Sequence, residues 1–130
     1  MPKRAFKIFF PIALILLACG AQAADRDYTF ARDVVSRAQN DLRRAADFAR
    51  RGEAIKKGDQ VDRYSDAQRS LSKLDRKLSE GKFDKGDLDE AIEDVKKVVE
   101  HNTLSSEDRD ALQNDLRELR LLRTSKGRPY

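Results

Sequence analysis

The side chains that could do chemistry in this sequence crowd into one stretch. Asp84, Asp87, Asp89, Glu90, Glu93 and Asp94 precede His101, the only histidine. A run of acids raises calcium first. Calcium loops need a glycine after the alternating acids, so that the chain can turn, and a glutamate to close the shell. Both are missing here, so the run reads as helix capping and a solvated face. For acid–base work, the imidazole of His101 would need a nucleophile or carboxylate held beside it. Glu100 and Ser105 are its neighbours in sequence only. A cation at a helix C-terminus is favoured by the helix dipole, so His101 reads as structural. Gly81 and Gly86 have the spacing of a phosphate loop, but Asp87 stands where that loop needs its lysine.

Helical bundles often hold haem or metal between their helices. Haem wants His, Met or Cys ligands, zinc wants several His or Cys, and a di-iron site wants a Glu-x-x-His motif on each of two helices. The chain has one His, one Cys and one Met, and the last two, Cys19 and Met1, lie in its first 23 residues. No cofactor and no metal is expected, and no catalytic residue.

The least ordinary pattern is basic. Arg37, Arg44 and Arg51 recur every seven residues, as do Arg43, Arg50 and Lys57. On a helix, both rows lie away from the Ala31–Ala38–Ala45 stripe. Asp33–Arg37 and Asp47–Arg51 have the stabilising i,i+4 order, so a solvated face laced with intrahelical pairs is one reading. The other is a ridge that docks on an acidic partner, anionic lipid headgroups or envelope polymers. Phe30 and Phe48 are either exposed anchors for that ridge or core residues.

The elements that must position these groups follow from composition. The chain has 130 residues, enough for one small domain. Charged residues make up 38% and hydrophobic ones 39%, a mix that suits amphipathic helices better than sheets. The net charge of +4 is uneven. Lys3, Arg4 and Lys7 supply most of it. The remainder is close to neutral, so no nucleic-acid partner is expected. Residues 25–58 hold nine basic and six acidic groups, and residues 84–102 hold three and seven. These two segments would attract each other if they packed together. With Cys19 alone, no intramolecular disulfide forms.

The N-terminus has the order of a secretory signal. Met1–Lys7 is basic, Ile8–Ala18 is apolar apart from Pro11, and Ala21-Gln22-Ala23 is a small-x-small cleavage pattern with Ala24 next. The apolar run is short for a membrane span. Leu16-Leu17-Ala18-Cys19 is an alternative: it has the look of a lipoprotein box, in which Cys19 would be lipidated. Export to the periplasm or medium is expected, with an outer-membrane lipoprotein as the competing outcome.

Four amphipathic helices follow, at 27–57, 59–80, 84–101 and 105–123. The first carries Ala31, Val35, Ala38, Leu42, Ala45 and Ala49 on one stripe. Gly58 stops it and Asp59 caps the second, unless one helix continues through Gly58. Tyr64, Ala67, Leu71, Leu74 and Leu78 line the second, which Gly81 ends. Asp84 caps the third, with Phe83 and Leu88 as a hydrophobic staple and Leu88, Ile92, Val95 and Val99 as its apolar face. Asn102 terminates it, and Ser105 caps the fourth, whose stripe is Leu112, Leu116, Leu119 and Leu122. The expected architecture is an all-α, up-down helical bundle spanning 24–123, with 124–130 as a flexible tail.

Phe83-Asp84-Lys85-Gly86-Asp87-Leu88-Asp89-Glu90-Ala91-Ile92, His101-Asn102-Thr103-Leu104 and Asp108-Arg109-Asp110-Ala111-Leu112 resemble a pattern in small exported helical proteins of soil bacteria. The resemblance covers about residues 61–123. It implies a helical fold and export, and brings no activity or binding residue. The function expected is therefore a non-enzymatic exported bundle acting on a protein or envelope partner. A membrane-surface contact and a homo-oligomer remain open.

Overall fold

A computed structural model describes residues 28–51 and 58–130. Among the described residues, four helices make up the fold: α1 (Thr29–Arg51), α2 (Gly58–Ser79), α3 (Lys85–His101) and α4 (Ser106–Ser125). No described helix is long and apolar enough to cross a membrane. Residues 1–27 and 52–57 lie outside the description, and with them the signal segment, Gly52, Ile55 and the question of a break before Gly58.

The helices form a ring in chain order. Each packs on its sequence neighbours and α4 closes onto α1, while the backbones of the diagonal pairs α1–α3 and α2–α4 do not approach closely. The cross-helix contacts run antiparallel. Arg32 near the start of α1 meets Asp75 near the end of α2, and Asp89 early in α3 meets Arg123 late in α4. This is the up-down bundle expected from the periodicity.

Local signals set most helix ends. Asp84 is the N-cap of α3 and accepts the Asp87 N–H at 2.9 Å. Ser105 does the same for the Asp108 N–H at 3.1 Å. Such bonds satisfy amide donors that the first turn leaves unpaired. Gly81 adopts φ +81°, and Lys82 N–H closes on the Lys77 carbonyl at 2.9 Å, a Schellman ending for α2. One end differs from expectation. Gly58, expected to stop the first helix, is itself helical, which puts Asp59 in the first turn of α2 rather than at the cap. Asn102 ends α3 as expected, in an extended conformation (φ −96°, ψ 156°). Its buried amide donates to the Gln60 carbonyl at 3.1 Å and accepts from Arg63 at 3.0 Å, tying the α3–α4 turn to the start of α2.

The core is layered by size. α1 contributes Ala31, Ala38, Ala45, Ala46 and Ala49 with Val34, Val35 and Leu42, and α2 and α4 contribute mainly leucines. Small residues on α1 make room for the larger side chains opposite, the complementarity that close packing requires. On α3 the buried set is Leu88, Ala91, Val95, Val98 and Val99, and Ile92 is half-buried at the rim. The expected face was rotated slightly toward solvent.

Residues 124–130, expected as a flexible tail, make specific contacts. Gly127 is buried with φ +85°. A Cβ there would lie 2.9 Å from Phe83 Cδ1 and 3.0 Å from Tyr28 Cδ1. Tyr130 packs edge-on against Phe30, with ring centroids 5.0 Å apart.

Candidate functional site

Two features could carry function: the outer face of α1 and a buried carboxyl on α4. The fold disposes of the acidic run of α3 first. Lys77 of α2 bonds Asp84 at 2.8 Å and Asp87 at 3.0 Å, and Lys73 bonds Glu90 at 3.2 Å. The Ser70 hydroxyl donates to Asp94, and Asp89 pairs with Arg123 at 2.9 Å. Lys77 and the Asp87 N–H hold the Asp84 carboxyl below the usual carboxylate range. These acids cap α3 and stitch it to both neighbours. Among the described residues, no ion pair joins segment 84–102 to segment 25–58, because α1 and α3 are diagonal in the ring. Short turns place successive helices side by side, and the acids of α3 find their cations on α2 and α4. His101 is exposed in the last turn of α3, its Nε2 4.0 Å from Glu100 Oε1. Among the described residues, no group of three or more Asp, Glu, His or Cys side chains is arranged to hold a metal.

The basic rows of α1 divide into two kinds. Arg37 crosses to α4 and bonds Glu118 at 3.0 Å. Arg43 bonds Asn40, Arg44 bonds Asp41 and Arg50 bonds Asp47, each at 2.9 Å and each three residues apart on α1. The expected i,i+4 pairs therefore do not form. Glu118 takes Arg37 away from Asp33, and Asp47 reaches Arg50 instead of Arg51. Arg43, Arg44, Arg50 and Arg51 are exposed. The two phenylalanines also part: Phe30 is half-buried against the core and Tyr130, whereas Phe48 is 49% exposed. At i+4 from Arg44 and i−3 from Arg51, Phe48 lies on the same stripe as the first basic row. Ala23, Ala24, Cys19 and Lys57 fall outside the described residues.

The second feature was not anticipated. Asp115 of α4 is only 4% exposed, and Asp41 of α1 is the nearest charge of the same sign to bear on it. Its Oδ2 is buried without a partner. Burial, then the neighbouring Asp41 carboxyl, push Asp115 up to about 8, with Glu118 adding to the rise and Arg37 opposing it. Asp115 is three residues after Leu112 and four before Leu119, so it falls inside the apolar stripe of α4. That position is the signal a sequence reading could have used. Asp115 lines none of the open clefts between α1 and α2, α2 and α3, or α3 and α4. The cleft between α3 and α4, about 620 Å³, is bordered by Asp89, Ile92, Glu93, Arg120, Arg123 and Thr124.

No family model, curated protein or solved structure matches this chain.

Proposed function

We propose that this chain is an exported, non-enzymatic helical-bundle protein that acts by contact, through the outer face of α1. The observation that carries this reading is the exposed Phe48 set among Arg43, Arg44, Arg50 and Arg51. Three of these arginines bond only acceptors on their own helix among the contacts described, so the fold does not use them to join helices. An aromatic ring beside Arg44 and Arg51 on its own stripe, with Arg43 and Arg50 on the next row of the exposed face, suits an anionic surface: the charges attract and the ring inserts. Arg37, engaged with Glu118, belongs to the fold rather than to this face. Export rests on the signal pattern of residues 1–24.

The test is binding of the purified protein to vesicles with anionic headgroups, with neutral vesicles as control. Binding that weakens as salt rises, and that is largely lost when Arg43, Arg44, Arg50 and Arg51 are changed to Gln, supports the face. Single surface changes of this kind usually shift stability by about 0.5 kcal/mol or less each, and a helix signal and unfolding midpoint near those of the parent establish that the variant is folded. Salt-independent binding, or none, rejects a lipid-facing role. The motif Leu16-Leu17-Ala18-Cys19 keeps a tethered form as the second reading. Intact mass of the exported product decides between them: a start at Ala24 removes the tether, and a lipidated Cys19 start establishes it.

A further inference from the structure

The clefts between the helices differ in what their walls carry. Asp33 and Asp75 line the one between α1 and α2, and Asp66, Glu90 and Asp94 the one between α2 and α3. Asp89 and Glu93 line the one midway along α3 and α4. A further cleft, about 470 Å³, opens where α3 begins and α4 ends. Its lining is Phe83, Lys85, Arg123, Thr124 and Lys126, with no carboxyl among them. Clefts of roughly 300–1,000 Å³ with an apolar wall and a few convergent polar groups are where proteins hold small molecules.

The fold supplies that wall and leaves the cations unspent. Phe83 precedes the Asp84 cap and is half-buried, held by Tyr28 at 6.2 Å between ring centroids and by the close approach of Gly127. Lys85 is the first residue of α3, and Lys126 is the left-handed C-cap of α4. Both lysines are exposed, and among the described residues the side chain of neither has an ion pair or hydrogen bond. Arg123 gives Asp89 its Nε at 2.9 Å and its Nη2 at 3.4 Å, which leaves Nη1. The carboxyls closest in sequence are taken: Asp84 by Lys77 and the Asp87 N–H, Asp89 by Arg123. Carbonyls at the end of α4, which would repel an anion, are covered as well. The Leu122 carbonyl accepts from the Lys126 and Gly127 N–H groups, and the Ser125 carbonyl from the Arg128 N–H.

We propose that the cleft at the start of α3 and the end of α4 binds a small aromatic anion, its ring against Phe83 and its acid group held by Lys85, Lys126 and Arg123. The Thr124 hydroxyl is a further donor on the same wall. A ligand without charge would leave these cations unanswered. An acid without a ring would gain little, because exposed ion pairs alone are weak. Together, the ring contact and charge-assisted hydrogen bonds reinforce each other. The site is separate from the basic face of α1 and does not rest on it. Tyr28, beside the cleft, stands at the start of α1, and Phe48 lies on the order of 30 Å further along that helix.

The probe is anilinonaphthalene sulfonate, an aromatic anion that fluoresces when it leaves water, titrated into the purified protein. Saturable one-to-one binding, displaced by naphthoate and accompanied by amide shifts at Lys85, Thr124 and Lys126, is the expected result. Changing Lys85 and Lys126 together to Gln removes two charge-assisted contacts and should weaken binding by about tenfold or more. The unfolding midpoint should stay near that of the parent, since neither lysine joins helices. The variant with Arg43, Arg44, Arg50 and Arg51 changed to Gln should bind the probe as the parent does. Absent or unsaturable binding overturns the proposal, as does full affinity in the lysine variant or lost affinity in the arginine variant. Asp25 and Asp27, which precede Tyr28 in the chain, are the competing anions. A protein that takes up the probe only when both are changed to Asn overturns it too.

Discussion

Asp84 and Asp115 begin with the same intrinsic chemistry and are driven in opposite directions. Asp84 accepts from Lys77 and from the Asp87 N–H, which favour its charged form. Its contribution to stability is present above the ordinary Asp pKa and is lost as pH falls through its lowered folded value. Asp115 faces a carboxyl and a dry interior, which favour its neutral form. The expected consequence at the acid limb is specific. Changing Lys77 to Gln removes the main cause of the lowered Asp84 value, so acid unfolding followed by helix signal should begin at a higher pH than in the parent. An unchanged acid limb would mean that the Lys77 contact adds nothing in solution.

At the scale of elements, the bundle rests on the match between a small-residue helix and leucine-rich neighbours. Leu119 and Leu71 are fully buried, and α1 faces its neighbours largely with alanine. Leu119→Ala would leave a cavity that alanines on α1 cannot fill by shifting rotamers. Its expected cost is about 3–5 kcal/mol, toward the upper part of the range for such changes, measurable by denaturant unfolding. The helices themselves were legible for local reasons. Asp84 and Ser105 cap as their positions require, and Gly81 ends α2 with the positive φ it tolerates. Asn102 ends α3 as its position requires, and its side chain is held by Gln60 and Arg63, forty or so residues away in sequence.

The whole molecule is a closed ring, and its closure point is marked by the C-terminal residues. Gly127 fits under Tyr28 and Phe83 because it has no Cβ and because it accepts φ +85°. Gly127→Ala should therefore lower stability by more than about 1 kcal/mol, from backbone strain and displaced rings together, seen as a lower unfolding midpoint. A neutral effect would show that 126–130 does not dock in solution.

Periodicity and capping residues determined that four helices form, where α3 and α4 begin and end to within a few residues, and which stripe of each helix turns inward. Those properties depend on neighbours three or four positions apart, and the chain carries them locally. The tertiary structure decided the rest. It placed acidic α3 diagonal to basic α1, sent Arg37 to α4 and left Arg43, Arg44 and Arg50 to bond within α1. It also buried Asp115 and docked the C-terminus. Each of these depends on which flank of a helix meets which neighbour, and that is set by the rotation of helices about their axes when the ring closes. An aspartate in a leucine stripe signals burial from the sequence, but only the packed helices decide which side chains surround it.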